Sequence, residues 1–399
     1  MSREAAGGKI IFDMDGVIIK EDCYWDAAAL TVWELLFSER YLGLEPSPDL
    51  PEFKTGVSAE EIASIRRIIL QEGRVTAFFK RRAINSNLDL AFLVFIYQLM
   101  SLLRDLERSR PPGDATAREA ALLAGGGTFP GNLQRLSRLL KPIYASRGAL
   151  QFDAVLRERT GSIRGEELLA YFFTGLTGEQ GRAGGRALVA ASPLWSGVRD
   201  VFQEWYLGEE KFRENYGREP SVSGKEGLLH LAAHLLPSEE IGQTLRRLKE
   251  QGWILGIATG RSWPELSPHL EAMGIRNYFE RASIVTRDQV QKAEESLQKI
   301  RAGISLGKPH PYSFLKAYWG TLYNDEELVF STPPQPPPGK CWAVGDSLAD
   351  LLSARGMGAS FIGVLTGPLG AAAGNLFRRE GARVVLPDMT HIPGYLGNL

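Results

Sequence analysis

The sequence predicts an α/β protein: a Rossmann-like parallel sheet interrupted near its start by a large, mainly α-helical domain. Three observations lead there. Short apolar runs alternate with helical patterns: KIIF at 9–12, then WILGIA at 253–258, ASIV at 282–285, CWAV at 341–344, ASFIGVL at 359–365 and RVVL at 383–386. These runs are continuously apolar rather than alternating, as expected when helices cover both faces of a parallel sheet. The long segment between the first and second runs carries extended helical patterns and few strands. The expected division is 1–20 plus 238–399 as the α/β core and 21–237 as the helical insert. Residues 1–20 alone are too few to bury a core, so the first strand must pair with strands far along the chain.

Taken in order, the first run leads into IFDMDGVIIK, where Asp13 and Asp15 break an apolar stretch just before Gly16. Asp and Gly are ordinary turn residues. A buried carboxylate, however, is costly unless paired, hydrogen-bonded or bound to metal. In the insert, SAEEIASIRRIILQEG offers a capping box from Ser58 to Glu61, and FKRR at 79–82 reads as a solvated face. The most apolar stretch, Leu88 to Leu103, contains Asp89 and Gln98 and falls short of a bilayer span; it reads as a buried helix. SRPPGD at 109–114 and AGGGTFPG at 124–131 read as loops dividing the insert. Phe202, Trp205, Tyr206 and Phe212 read as its aromatic core. HLAAH places His230 and His234 at the helical spacing of a two-histidine metal site, but Leu231 stands where the zinc-hydrolase pattern needs glutamate. Packing or surface histidines are the expectation.

Beyond the insert, Ile241, Leu245 and Leu248 recur at helical spacing, with Gly252 as the stop. ATGR follows WILGIA, and Ser262 with Glu265 forms a capping-box pattern. Lys308, in LGKPHPYSF, is expected to open a helix, because Pro309 and Pro311 suit a helix start. STPPQPPPG at 331–339 reads as a stiff connector. Asp346 follows CWAV, Ser347 and Asp350 have capping-box spacing, and Gly356 is the expected helix stop. GVLTGPLGAAAG at 363–374 lacks the dinucleotide-binding context and reads as a loop.

Bulk properties narrow the function. A chain of 399 residues suggests two domains, and 44% hydrophobic with 23% charged residues is a globular composition. A net charge of -1 provides no field to gather nucleic acid or an anionic membrane, so neither is an expected partner. The two cysteines, Cys23 and Cys341, are too few for a disulfide framework or a cysteine metal cluster. They fit a reducing compartment, and MSREAAGGKI carries no apolar secretion-like segment, so a cytoplasmic location is expected.

Ligands of open α/β sheets bind beyond the carboxyl ends of the strands, where this sequence places Asp13, Asp15, Thr259, Gly260 and Asp346, with Lys308 nearby. Four motifs in order, FDMDG at 12–16, ATGR at 258–261, GKP at 307–309 and VGDSLAD at 344–350, resemble the haloacid dehalogenase-like superfamily of hydrolases. The GKP and GDS forms are similar to those of phosphoglycolate phosphatase and β-phosphoglucomutase relatives. An insert between the first two motifs resembles the helical cap of such phosphatases, although it is larger than typical caps. The resemblance implies that Asp13 attacks phosphorus to give an aspartyl phosphate and that Asp15 protonates the leaving oxygen and then activates water. It further implies that Thr259 and Gly260 contact the phosphoryl oxygens and that Lys308 neutralises them. Mg2+ would be held by the Asp13 carboxylate, the Asp15 backbone carbonyl and Asp346, with Asp350 buttressing these ligands or reaching the metal through water. The implied function is a magnesium-dependent phosphatase acting on a small phosphorylated molecule. The alternatives are a phosphotransferase or phosphomutase using the same intermediate, and a catalytically idle scaffold whose helical insert docks a partner. A dehalogenase is disfavoured because Asp15 is present.

Overall fold

A computed structural model of the protein describes residues 8–109, 127–177, 189, 192–231, 233–301, 303–331 and 335–398. The chain forms two compact units, one from Met1–Glu21 with Ala232–Leu399 and the other from Asp22–Leu231.

The first unit is built on six parallel strands: β1 (Lys9–Phe12), β2 (Ile254–Ala258), β3 (Phe279–Val285), β4 (Cys341–Gly345), β5 (Ser360–Val364) and β6 (Val384–Leu386). Their order is β3-β2-β1-β4-β5-β6. This is the α/β class read from the apolar runs. Ile10, Phe12, Leu255, Ile257, Val344 and Ile362 lie in one buried core, and the intervening Ile11, Ala343 and Phe361 are buried as well, so both faces are covered and the runs do not alternate. Ile11 pairs with Gly256 on one side and Ala343 on the other, placing β1 at the centre. Strand order reverses there. The crevice beyond the carboxyl ends of β1, β2 and β4 is therefore the topological switch point, the usual ligand position in such sheets.

In the second unit, every element among the described residues is helical. Its longer helices are Asp22–Phe37, Ala59–Ile69, Asn87–Arg108, Phe129–Arg147, Gly165–Thr177 and Pro193–Tyr216. Asn87–Arg108 is long and apolar enough to cross a membrane, yet 83% of its most apolar window is buried in the protein, the situation of a core helix. Its buried Gln98 is accommodated by donating to the Gln151 carbonyl at 3.2 Å. Phe202, Trp205, Tyr206 and Phe212 are all buried, and Tyr206 stacks on Tyr24 with centroids 4.2 Å apart. The helix carrying them is broken at Gly208, where φ is +81°. A Cβ there would meet the Glu226 carbonyl oxygen at 2.5 Å, so glycine permits the close return of the chain through Lys225.

That return buries charge. Lys225 Nζ lies 2.7 Å from Glu34 Oε2 and 2.6 Å from Glu204 Oε2, all three side chains being wholly buried. Trp205 Nε1 donates to Glu34 Oε2 at 2.7 Å, and the Ser221 N–H donates to Glu204 Oε1 at 2.6 Å.

Several local expectations give way. Of the loops expected in the insert, 110–126 lie outside the described residues, but the second ends early: Thr128 caps a helix starting at Phe129, with Pro130 in its first turn. FKRR is not a solvated face, since Phe79 and Lys80 are buried; Lys80 Nζ donates to the Asn85 carbonyl at 3.2 Å. His230 and His234 do not share a helix. His230 lies in the short turn Leu229–Leu231, whereas His234 is on extended backbone bridging Ile19, because Ala233 and Leu235 hydrogen-bond to the chain at Lys20 and Ile18. The helix after β4 stops at Gly358 rather than Gly356, since Gly358 adopts the left-handed conformation (φ +77°). Within 363–374, β5 takes the start and the helix Ala371–Arg379 the end, so only the middle is loop. In the proline-rich connector, 332–334 lie outside the described residues.

Candidate active site

At the end of β1, the Asp13 N–H extends the ladder to the Val344 carbonyl at 2.9 Å, which fixes its side chain at the switch point. Asp13 is buried. Its Oδ1 accepts the Met14 N–H at 2.8 Å and faces Lys308 Nζ at 2.9 Å. Lys308 also contacts Asp350 Oδ1 at 2.7 Å, so one ammonium bridges two carboxylates. Lys308 does not open a helix: the helix begins at Tyr312, after Pro311, and the preceding turn carries the lysine inward.

Asp350 stands in the first turn of the helix Leu348–Met357. Ser347 Oγ donates to Asp350 Oδ2 at 2.5 Å and accepts the Asp350 N–H at 3.2 Å. The capping pattern is thus present and also serves the site. With Oδ1 on Lys308 and Oδ2 on Ser347, both oxygens of Asp350 have partners within the protein.

The chain turns after Asp15 because Gly16 adopts φ +71°. A Cβ on Gly16 would come within 2.3 Å of Asp346 Oδ2, and one on Gly367 within 1.9 Å. These two glycines form a close cradle for the Asp346 carboxylate. Thr366 Oγ1 donates to the Gly16 carbonyl at 2.5 Å, tying the loop after β5 to the turn after β1.

Asp13, Asp346 and Asp350 each present a carboxylate oxygen, and the three lie within 4.8 Å of one another, all buried. Two of them share Lys308, and Asp346 adds a third carboxylate beside the pair. Burial pushes Asp13 up to about 7, Lys308 opposes the shift, and Asp350 and Asp15 add to it. Burial works to lower the pKa of Lys308, but Asp13 and Asp350 outweigh it and hold the ammonium above its ordinary range. A small divalent cation fits this donor set: hard oxygen ligands, surplus negative charge and glycines packed closely around Asp346.

Thr259 and Gly260 follow β2, the neighbour of β1. Thr259 is buried, and its Oγ1 accepts the Arg261 N–H at 3.2 Å. Among the described residues no hydrogen bond joins Thr259 to Asp13 or Lys308. Asp15, whose charge acts on Asp13, is held by an arginine. Its Oδ1 accepts from Arg261 Nε at 2.9 Å and Nη2 at 2.5 Å. Arg261 is wholly buried, and the sequence reading gave it no role. Its signal was an arginine directly after a buried strand end, in the quoted ATGR itself.

A parallel sheet with a lysine-bridged carboxylate group at its switch point is an α/β fold with a charged site where such sheets bind their ligands. The family model of haloacid dehalogenase-like hydrolases matches residues 163–358, a span that includes Thr259, Lys308, Asp346 and Asp350. An X-ray structure of a structural-genomics target is 30% identical, with a TM-score of 0.69 and 98% of each chain covered. A hydrolase from Pseudomonas syringae is 15% identical at a TM-score of 0.37, covering 98% of this chain and 99% of its own. A HAD-superfamily hydrolase of subfamily IA from Geobacter sulfurreducens is 14% identical at a TM-score of 0.38, with 100% of both chains covered. No protein among the curated ones matches. The chain belongs to the haloacid dehalogenase-like hydrolases.

Proposed function

We propose that the protein is a magnesium-dependent phosphatase that hydrolyses a phosphate monoester of a small molecule through a phosphorylated Asp13. The observation that carries this reading is Lys308, held 2.9 Å from Asp13 and 2.7 Å from Asp350 beside the carboxylate of Asp346. A carboxylate attacks phosphorus without a helper base, and a fixed ammonium next to it meets the charge on the transferring phosphoryl group.

In the first step an oxygen of Asp13 bonds to phosphorus, the bond to the ester oxygen breaks, and that oxygen takes a proton from Asp15. In the second, Asp15 removes a proton from water as the water oxygen attacks phosphorus. The bond to Asp13 then breaks, releasing phosphate and restoring the Asp13 carboxylate. Lys308 and the Thr259 hydroxyl would hold phosphoryl oxygens, with the exposed Gly260 leaving room for its N–H to approach. Mg2+, held by Asp13, Asp346 and the Asp15 carbonyl, would neutralise charge on the phosphoryl oxygens. Asp350 supports Lys308. The domain roles follow: 1–20 plus 238–399 supply the catalytic core and 21–237 the insert that selects substrate.

The test is phosphate release from a panel of aryl and metabolite phosphates with and without magnesium. Asp13→Asn is expected to lower kcat by about 10⁴-fold or more while the melting temperature holds. Undiminished turnover in that variant removes Asp13 as the nucleophile.

A further inference from the structure

We propose that the helical unit carries a binding site for a phosphate group of a small anionic molecule, formed by the guanidinium groups of Arg81 and Arg82 with Arg164 beside them. The site stands on this unit alone and does not depend on the phosphatase reading. Arg81 and Arg82 close the FKRR run, at the end of the helix Arg74–Lys80. Arg82 is half-buried and held in a frame. Its Cζ lies 3.7 Å from the centroid of the Phe78 ring, Nε donates to Thr160 Oγ1 at 3.1 Å, and Nη1 donates to the Phe78 carbonyl at 3.1 Å. These contacts leave Nη2 without a hydrogen-bond partner among the described residues. Arg81 is exposed, and among the described residues its side chain has no partner.

The charge of this cluster is unmatched. Several arginines elsewhere face carboxylates: Arg66 faces Asp22 and Asp26, Arg147 faces Asp105, and Arg213 faces Glu209 and Glu219. The acidic residues just before Thr160 are already taken, Asp153 by Arg157 at 2.6 Å and Glu158 by Arg104 at 3.4 Å. Glu166 and Glu167 stand in the first turn of the helix Gly165–Thr177, where they complement its N-terminus. Burial pushes the Arg82 guanidinium down from its ordinary range, and the charges that add to the shift, Arg81 and Arg164, are both positive. The group stays charged all the same. The backbone draws these cations together. The Gly165 N–H donates to the Arg82 carbonyl at 2.7 Å, which sets Arg164 against Arg82, and Ala83 adopts φ +59°, in the left-handed region that a residue with a Cβ rarely takes. Like charges gathered on a strained backbone imply a ligand of opposite charge. Planar guanidinium forks match the oxygens of a phosphate group. Three cations suit one compact anion, and the net charge of -1 supplies no wider field for a long polyanion.

The probe is inorganic pyrophosphate, titrated by calorimetry without magnesium at about 0.15 M salt, where diffuse surface attraction is screened. Arg82→Gln and Arg81→Glu should each weaken binding by at least about 10-fold, the loss expected for one charge-assisted contact. Because the Arg81 side chain has no partner among the described residues, Arg81→Glu should melt with the wild type, and it carries the test if Arg82→Gln fails to fold. Arg379→Gln, beside Arg378 in the helix Ala371–Arg379 of the other unit, should leave the affinity unchanged. Any binding in the α/β unit is common to the wild type and the two cluster variants, so the differences between them read the cluster. The phosphate group has two possible sources. If it belongs to the substrate, Arg81→Glu raises KM by at least about 10-fold for bisphosphorylated members of the metabolite panel and leaves KM for 4-nitrophenyl phosphate unchanged. If it belongs to a separate ligand, both KM values hold. The calorimetric loss supports the site in either case.

A wild-type protein that does not bind pyrophosphate, an affinity unchanged in Arg81→Glu, or an equal loss in Arg379→Gln overturns the site and leaves the phosphatase reading standing. A protein that hydrolyses nothing in the panel removes that reading, and the calorimetry still decides the site.

Discussion

Among the described residues two lysines are each bracketed by two carboxylates. Lys225 lies 2.7 Å from Glu34 and 2.6 Å from Glu204 in the helical unit; Lys308 lies 2.9 Å from Asp13 and 2.7 Å from Asp350 in the α/β unit. What differs is the surroundings. The first cluster is closed, its oxygens further capped by Trp205 Nε1 and the Ser221 N–H, within helices that offer no strand ends. The second stands at the switch point of a parallel sheet with a third carboxylate, Asp346, cradled by glycines beside it. A buried ion pair is thus not in itself a functional signal. Surplus charge at the carboxyl end of a sheet is.

Removing the lysines should separate the two roles most sharply. In Lys225→Met, two buried carboxylates lose their cation, and stability measured by urea unfolding should fall by about 3–5 kcal/mol, with kcat of the folded protein nearly intact. Lys308→Met should do the converse in its main effect, lowering kcat by about 10²–10³-fold, the loss typical of a missing donor to developing charge. If Lys225→Met abolished turnover in folded protein, the division between structural and chemical clusters would collapse.

The same contrast shows what local sequence reveals. The strands KIIF, WILGIA and CWAV declare themselves by composition, and their ends locate Asp13, Thr259 and Asp346, because the rule that ligands gather there needs no side-chain detail. Pairings between distant residues leave no local trace. Arg261 and Asp15 are 246 positions apart and Trp205 and Glu34 171 apart, so their helices and loops read only as cap patterns and apolar faces. Glu34 did leave a faint mark, as a lone charge inside TVWELLF, a run otherwise suited to burial. Lys308 was misplaced onto a helix because prolines favour helix starts but do not say which residue is the first; four positions decide whether the lysine faces solvent or Asp13.

Magnesium sharpens the comparison next. At about one hundred times its dissociation constant, a ligand of the native state stabilises by about 2.7 kcal/mol. That gain, read by thermal unfolding, should disappear in Asp346→Asn and persist in Glu204→Gln. A shift retained in Asp346→Asn would place the cation elsewhere.

The smallest expected effect concerns a proton in the closed cluster. Burial pushes the Glu34 carboxyl upward, Lys225 opposes this, and Glu204 adds to it. Glu34 Oε1 is buried with no hydrogen-bond partner among the described residues, so a charge shared onto it is poorly solvated. Because the folded pKa lies above the unfolded one, this group's contribution to stability is full below the ordinary glutamate range, near 4.3, and is lost as pH rises through the folded value. The wild type should therefore lose stability from this group as pH rises above that range. Glu34→Gln cannot titrate, and its amide keeps an oxygen for Trp205 and Lys225. It should leave activity unchanged and remove that part of the pH dependence in urea unfolding above the ordinary glutamate range. If the variant retained the full wild-type slope, the proton would reside outside the triad, and the closed cluster would hold Lys225 between two permanent charges, a costlier arrangement than the geometry of Glu34 supports.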